Sequence, residues 1–290
     1  MSDLKAEWFV ALQRILPQHI LSRLGSSLAE AKTPWLKNFL IEQFIRTYNI
    51  DMDEAASDDL DDYEHFNAFF TRALKEGVRP IDQTENSITV PADGTVSQLG
   101  VIEEGNIFQA KGKSFSTASL LGADNGDSQR FLNGNFITIY LSPKDYHRVH
   151  MPISGELVFT RYIPGKLFSV NDTTTQYIDG LFAKNERLVC MFDTPVGRCA
   201  VILVGAMMVA GIESVWHGHY QPNTLMTQEF KEQTEASQQK VRLQKGEEMG
   251  RFKFGSTAIL LFEPGKTTWA DQYKPGAKTK LGEQLALTSN

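Results

Sequence analysis

Cysteine is scarce in this chain of 290 residues: only Cys190 and Cys199 occur, so one disulfide is the most it can form. A chain of this length builds a core without one, and Cys190 lies in the apolar run Leu188-Val189-Cys190-Met191-Phe192, so buried free thiols are expected. No C-x-x-C pair is present, which removes thioredoxin-like redox chemistry. A strong excess of positive charge is also missing. Lys and Arg total 29 against 35 Asp and Glu, net −6, which argues against a nucleic-acid binder working by bulk electrostatics. Long hydrophobic runs are absent too: the longest, Ala200 to Ile212, has 13 residues, short of the ~20 that a spanning helix needs. Met1 to Val10 carries Asp3 and Glu7 and shows no positive region followed by an apolar core, so no secretory signal is read there. The expectation is a cytoplasmic chain that meets a membrane, if at all, from the side.

What is present is ordinary globular chemistry, 41% apolar and 22% charged, at 32.5 kDa. The first fifty residues carry helical periodicity. Trp8, Leu12, Ile15 and Leu16 form one stripe, Pro17 interrupts it, and Ile20, Leu21, Leu24 and Leu28 continue it. Thr33-Pro34 has the order of a helix cap and first turn, followed by Leu36, Phe39, Leu40, Phe44, Ile45 and Tyr48. Periodicity alone favours packing of these faces on a core over contact with a bilayer. Asp51 to Glu64 is acidic with no basic residue, and reads as a solvated connection. Tyr63 to Leu74 predicts one more short helix before Arg79-Pro80.

From Ile88 the texture changes to short apolar runs separated by turn residues: Val96–Val101, Phe136–Leu141, Glu156–Tyr162, Arg187–Phe192, Cys199–Val204 and Ala258–Phe262. That pattern predicts an α+β chain with a β-rich body of packed, mostly antiparallel sheets and amphipathic N-terminal helices. The polar segment Asn223 to Gln239 is expected to be a loop or insertion.

Four clusters carry possible chemistry. Asp93 in Pro91-Ala92-Asp93-Gly94 suits a turn. Ser142-Pro143-Lys144-Asp145 has the order of a cap and first helical turn before Tyr146-His147-Arg148-Val149-His150. If that turn persists, His147 and His150 share a side; if the chain is already extended, they face opposite ways. The pair is compatible with metal ligation, with a base beside a substrate contact, and with partly buried structural groups. His217-Gly218-His219 is a possible metal pair that fits a strand edge equally well. Gly255-Ser256-Thr257 lacks the spacing of a phosphate-binding loop and, with Ala258 where a second glycine would stand, lacks that of a hydrolase nucleophile elbow.

Taken in order, Pro91-Ala92-Asp93-Gly94, Tyr146-His147-Arg148-Val149-His150 and Gly250-Arg251-Phe252-Lys253-Phe254-Gly255-Ser256-Thr257 resemble the bacterial phosphatidylserine decarboxylases. Phe66-Asn67-Ala68-Phe69-Phe70, Arg79-Pro80-Ile81-Asp82 and Pro164-Gly165-Lys166-Leu167-Phe168-Ser169-Val170-Asn171 fit the same family, so the resemblance covers almost the whole chain. One departure is Phe254, where many members have leucine; a bulky apolar group there fills the same kind of pocket.

The resemblance implies a proenzyme cut between Gly255 and Ser256 into a β chain of residues 1–255 and an α chain of 256–290. These form a heterodimer, and the resemblance suggests a dimer of such pairs. Ser256 would become a covalent pyruvate (pyruvoyl) group, with no pyridoxal phosphate and no metal, and bind the substrate amine as a Schiff base while CO2 leaves. The product would be phosphatidylethanolamine. His150 is implied as the base that activates Ser256, with Asp93 orienting it. His147 is implied as a contact to the substrate carboxylate or phosphate, or as a proton donor. Residues 1–75 become a helical, membrane-associating region on the cytoplasmic side, and 76–290 the decarboxylase domain. Trp8, Phe9, Leu12, Trp35, Phe39 and Phe44 are the candidate wedge, helped by Lys32, Lys37 and Arg46. Two other classes of function stay open: a metal-dependent hydrolase using Asp93, His147, His150, His217 and His219, and a non-catalytic lipid-binding protein.

Overall fold

The computed structural model describes residues 3–122, 126–207, 211–220, 225–230, 240–253 and 256–289. Three helices open the chain: α1 (Asp3–Ile15), α2 (Gln18–Ala29) and α3 (Pro34–Tyr48). Pro17 breaks the first from the second, and Thr33 stands at the N-cap position of α3 without a side-chain cap hydrogen bond, with Pro34 in the first turn as the sequence predicts. Asn49 ends α3 in the left-handed conformation, where its backbone N–H reaches the Ile45 carbonyl. A fourth helix, α4, is shorter than the periodicity of Tyr63 to Leu74 suggests and spans Phe66–Phe70. His65 caps its start by accepting from the Ala68 N–H, and Thr71 ends it. Three short helices lie among the strands: α5 (Thr117–Leu121), α6 (Asp172–Tyr177) and α7 (Leu181–Lys184).

The strands run β1 (Ser87–Thr89), β2 (Gly94–Val101), β3 (Asn106–Ala110), β4 (Lys113–Ser116), β5 (Asn135–Leu141) and β6 (Arg148–His150). They continue with β7 (Gly155–Ile163), β8 (Arg187–Thr194), β9 (Gly197–Gly205), β10 (Ile212–Ser214), β11 (Gly218–His219) and β12 (Met226–Glu229). The last are β13 (Arg242–Leu243), β14 (Glu248–Phe252), β15 (Ser256–Phe262), β16 (Thr267–Trp269), β17 (Lys278–Thr279) and β18 (Gln284–Thr288). One large sheet has the order β12-β7-β8-β9-β15-β5-β2-β17, with β13 also on β7. A four-stranded sheet β11-β10-β14-β6, a three-stranded sheet β1-β18-β16 and the β3-β4 hairpin complete the body. Every pairing within these sheets is antiparallel, so the expected α+β chain with a β-rich body is what forms.

The central strands read as unbroken apolar runs because both faces of the large sheet are covered. Leu188, Cys190 and Phe192 of β8, Cys199, Val201 and Leu203 of β9, and Ala258, Leu260 and Phe262 of β15 face one core, shared with Val149, Ile212 and Phe252 of the four-stranded sheet. Val189, Met191, Ala200, Ile202, Ile259 and Leu261 face the other, beneath the short helices and Val10 of α1. Cys190 and Cys199 are buried free thiols, and burial raises the pKa of both. Met226–Glu229, inside the segment expected to be a loop, instead adds a strand to β7; residues 231–239 of that segment lie outside the described residues.

The N-terminal helices dock through two glutamines. Gln13 gives its side-chain N–H to Ser169 Oγ (2.7 Å) and accepts from the Ser169 backbone (2.9 Å), while Gln18 accepts from the Leu167 backbone (2.8 Å). They bond the backbone as a neighbouring strand would. A separate small core, Ala29, Ile41, Phe44, Ile50, Tyr63, Phe66, Phe69 and Phe70, joins α2, α3 and α4. Most of the remaining apolar surface of these helices faces outward, with Trp8 71% and Trp35 72% exposed and Phe9, Leu12, Ile20, Leu24 and Phe39 also exposed. Periodicity thus locates the apolar faces correctly but assigns too much of them to a core. Two expected surface residues are elsewhere. Phe44 is only 9% exposed because it is edge-on to Phe66, Phe69 and Phe70. Lys37 is 5% exposed because its ammonium bonds the Leu60 carbonyl beside Asp61. The acidic connection is held at its ends, Glu64 to Lys32 and Glu54 to Arg79.

Candidate active site

The Asp93 turn and β6 are neighbours, because the backbone N–H of His150 donates to the Pro91 carbonyl at 2.8 Å. Glycine is required after Asp93: a Cβ at Gly94 would stand 2.4 Å from the Tyr140 carbonyl oxygen of β5. Gly250 is fixed in the same way by the Glu213 carbonyl, also at 2.4 Å. Its neighbour Met249 is the extra residue of a bulge between Glu248 and Gly250, where β14 pairs with β6.

The Asp93 carboxylate is clamped. Arg79 Nε donates to both its oxygens at 3.0 Å, Nη2 donates to Oδ2 at 2.6 Å, and the Leu281 backbone N–H donates to Oδ1 at 2.8 Å. The other edge of Arg79 holds Glu54 at 3.0 and 2.6 Å. Burial opposes the guanidinium's charge, but the hydrogen bonds of Asp93 and then Glu54 outweigh it and raise its pKa.

His150 has a defined tautomer. Its Nδ1–H donates to the Gly246 carbonyl at 2.8 Å, which leaves Nε2 with its lone pair, 3.4 Å from the Tyr146 hydroxyl. Burial lowers the His150 pKa despite the Gly246 carbonyl and the charges of Glu248 and Asp93, which act the other way. Burial also pushes the Tyr146 hydroxyl up to about 12. A neutral imidazole whose Nε2 lone pair accepts from the Tyr146 hydroxyl is chemically a proton acceptor. Asp93 and His150 share this place without a hydrogen bond to each other; Asp93 contributes its charge.

His147 points elsewhere. Ser142–Asp145 makes a single turn, closed by Asp145 N–H to the Ser142 carbonyl and by Asp145 accepting from Ser142 N–H and Oγ–H, each at 2.7 Å. The chain is extended from Arg148 because β6 pairs with β14, so the two histidines face apart. His147 is fully buried, stacked on Phe70 at 4.0 Å, with Nε2 3.4 Å from the Pro143 carbonyl and Nδ1 without a partner. Burial drives its pKa down to about 3.

Ser256 opens β15, the middle strand of the large sheet, and its backbone is in register with Leu141 on β5 and Gly205 on β9. On the near side, Phe252 at the end of β14 donates its N–H to the His147 carbonyl. The end of β14 therefore lies beside the end of the segment from Leu141 to His147. Phe254 and Gly255, the expected pocket-filling residue and one side of the expected cleavage point, lie outside the described residues. His217 and His219 are exposed on the β11 edge, His217 stacked on Tyr220 at 4.5 Å. Among the described residues no group of three or more His, Cys, Asp or Glu is placed to hold a metal ion.

A family model described as phosphatidylserine decarboxylase matches residues 66–287, the whole of the β body and α4. The chain belongs to the phosphatidylserine decarboxylase family. A second model, described as PSD, matches residues 8–49. Curated relatives named phosphatidylserine decarboxylase proenzyme include one from Pseudomonas putida strain F1, 53% identical over 283 residues, covering 98% of each chain. One from Pseudomonas fluorescens strain Pf0-1 is 51% identical over 286 residues, 99% of this chain and 100% of the relative. One from Stutzerimonas stutzeri is 52% identical over 282 residues, 97% and 95%. As a member of this family the chain is a decarboxylase, a lyase of phospholipid metabolism made as a zymogen.

Sequence reasoning assigned no role to Arg79, Glu54, Tyr146 or the Gly246 carbonyl. Arg79 stood within a motif quoted for the resemblance, yet nothing in its spacing announces that it clamps Asp93. The Gly246 carbonyl is backbone and leaves no mark on residue type at all.

Proposed function

We propose that this chain decarboxylates phosphatidylserine to phosphatidylethanolamine with a pyruvoyl group that it makes from Ser256. In the self-processing step, Ser256 Oγ attacks the Gly255 carbonyl carbon, the Gly255–Ser256 C–N bond breaks, and an ester replaces the amide. His150 Nε2 takes the hydroxyl proton. Loss of the Ser256 α-proton then expels the Gly255 carboxylate, leaving dehydroalanine, and water releases its nitrogen as ammonia and leaves a ketone. In this reading Arg79 and Leu281 fix the Asp93 carboxyl near the imidazole, where its charge favours the imidazolium formed during proton transfer. The pyruvoyl ketone supplies the electron sink that no ordinary side chain offers to an amino-acid decarboxylation.

The observation that carries the reading is the position of Ser256 at the first residue of a strand held on both sides. A break before it leaves β15 seated between β5 and β9, while β17 and β18 of the same segment stay paired to β2 and β1. Both products of the cut remain one folded body, which suits a β/α heterodimer, and such pairs can dimerise further.

The substrate's diacylglycerol requires access to a bilayer, and the outward Trp8, Phe9, Leu12, Trp35 and Phe39 suit a peripheral attachment on its cytoplasmic side through residues 1–75, with 76–290 as the decarboxylase domain. Among the described residues no helix is long and apolar enough to cross a membrane. Intact mass under denaturing conditions tests the self-processing. Two chains split after residue 255, the smaller lighter by one ammonia than simple hydrolysis gives, are expected, and Ser256→Ala is expected to stay whole and inactive. A wild-type chain that remains whole while decarboxylating phosphatidylserine would overturn the pyruvoyl origin.

A further inference from the structure

Among the described residues, the arginines buried or half-buried beside the sheets have acceptors, with one exception. Arg187 donates Nε, Nη1 and Nη2 to the carbonyls of Leu120, Asn185 and Ser119 at 2.7, 2.9 and 2.7 Å. Arg161 donates to the Leu121 carbonyl at 2.9 Å, and Arg148 to the Thr71 carbonyl and to Glu248. Arg72 differs. It follows α4, is 5% exposed, lies over the Phe69 ring at 5.3 Å, and its Nε and Nη1 meet no acceptor.

A guanidinium left in this state costs several kcal/mol unless an anion meets it. The protein's own carboxylates are committed: Glu54 and Asp93, whose charges bear on Arg72, are both bound by Arg79. Burial works against the Arg72 charge, and that charge in turn acts on His147. Arg72 is therefore within electrostatic reach of Asp93 and Tyr146 on one hand and of the buried His147 on the other, while among the described residues no acceptor meets its Nε and Nη1.

We propose that Arg72 binds the phosphodiester of the phospholipid headgroup, an assignment that rests on the substrate reading above. The headgroup of phosphatidylserine offers two anions, and the chemistry separates them. The carboxylate loses its charge as CO2 departs, so a cation fixed on it would stabilise the ground state more than the transition state and slow the reaction. The phosphodiester keeps its charge throughout, so holding it with the guanidinium anchors substrate without opposing the chemistry. The surroundings agree with this orientation. α4 carries Phe66 at its other end, and Phe66 lines an apolar groove of about 280 Å³ with Leu40, Phe44 and the exposed Leu28 and Tyr48.

The test uses dihexanoyl phosphatidylethanolamine, which has the phosphodiester but no carboxylate, and dihexanoyl phosphatidylserine. Calorimetric binding of the first and steady-state turnover of the second are measured on wild type and Arg72→Gln, with self-cleavage followed by intact mass. The expected result is a Kd and a KM both raised roughly tenfold to a hundredfold, with kcat within about twofold and cleavage complete. An unchanged Kd overturns the assignment; a raised KM with an unchanged Kd overturns it in favour of the carboxylate. Should Arg72→Gln fail to fold, Arg72→Lys is read the same way, a severalfold rise in both constants supporting the proposal and unchanged constants overturning it. A wild type without decarboxylase activity would sink the substrate reading alone, because the Kd ratio still decides what Arg72 binds.

Discussion

The large sheet and the N-terminal helices treat apolar side chains in opposite ways. In β8, β9 and β15 almost every one is buried on one face of the sheet or the other. In α1 and α2 most point outward, and what attaches these helices is a pair of glutamine amides, Val10 on the core beneath the large sheet and the edge of a small aromatic core. Full burial of one such side chain stabilises a fold by about 1.5–3 kcal/mol, so the sheet accounts for the stability and the helices add little. An apolar face kept in water at this scale is a surface for another phase or partner, which is the physical basis for assigning the helices to the bilayer.

The comparison is broken most severely in the sheet. Leu260→Ala, in the middle of β15, is expected to lower the free energy of unfolding by about 2–5 kcal/mol, measured by urea denaturation of the uncleaved Ser256→Ala background. A loss below half a kcal/mol would mean that the sheet does not hold the body together.

A smaller effect is expected from His147. Its folded pKa of about 3 is below that of an unfolded histidine, near 6.5, so both states are neutral above that value and no stability is lost there. As pH falls from about 6.5 towards 3, the unfolded chain takes up a proton that the folded chain refuses, and stability drops by up to about 1.4 kcal/mol per pH unit. His147→Phe, which keeps the stack on Phe70, is expected to flatten that limb. Equal slopes in the variant and wild type between pH 6 and 4 would show that His147 is accessible to protons in the fold.

The smallest effect on stability is expected at the helices. Trp8→Ser with Trp35→Ser should move the unfolding free energy by less than about 0.5 kcal/mol, as exposed substitutions do. The same double variant should weaken sedimentation with phosphatidylserine-containing vesicles severalfold. A large loss of stability with unchanged vesicle binding would erase the contrast between the two regions.

Much of the fold was legible in residue order. The helical N-terminus, its interruption at Pro17 and its new start at Thr33-Pro34, and the six apolar runs of the body all follow from local chemistry, because periodicity, proline and turn residues act over a few positions; that Pro17 divides the first stripe into two separate helices is seen only in the fold. Less was legible where pairing decides. Met226–Glu229 is polar and becomes a strand only because β7 offers it an edge. Ser142–Asp145 begins like a helix and stops after one turn because β14 draws Arg148 into pairing. Lys37 carries the pattern of a surface residue and is buried by the Leu60 carbonyl, and Phe44, assigned to the wedge through the resemblance, is buried by Phe66 and Phe70 as its place on an apolar face allows; these partners arrive from later in the chain.

The sequence by itself determined the residue types of the site and their order: an acid at Asp93, imidazoles at His147 and His150, and a hydroxyl at Ser256 after glycine. It also determined the family, since those motifs span the chain. Only the tertiary structure decided what each group is. Buried side chains take their setting from partners distant in sequence: Asp93 its hydrogen bonds from Arg79 and Leu281, His150 its tautomer from Gly246, His147 its buried stack from Phe70. Arg72 is set apart in the same way, because its isolation from any acceptor exists only once the chain has folded around it.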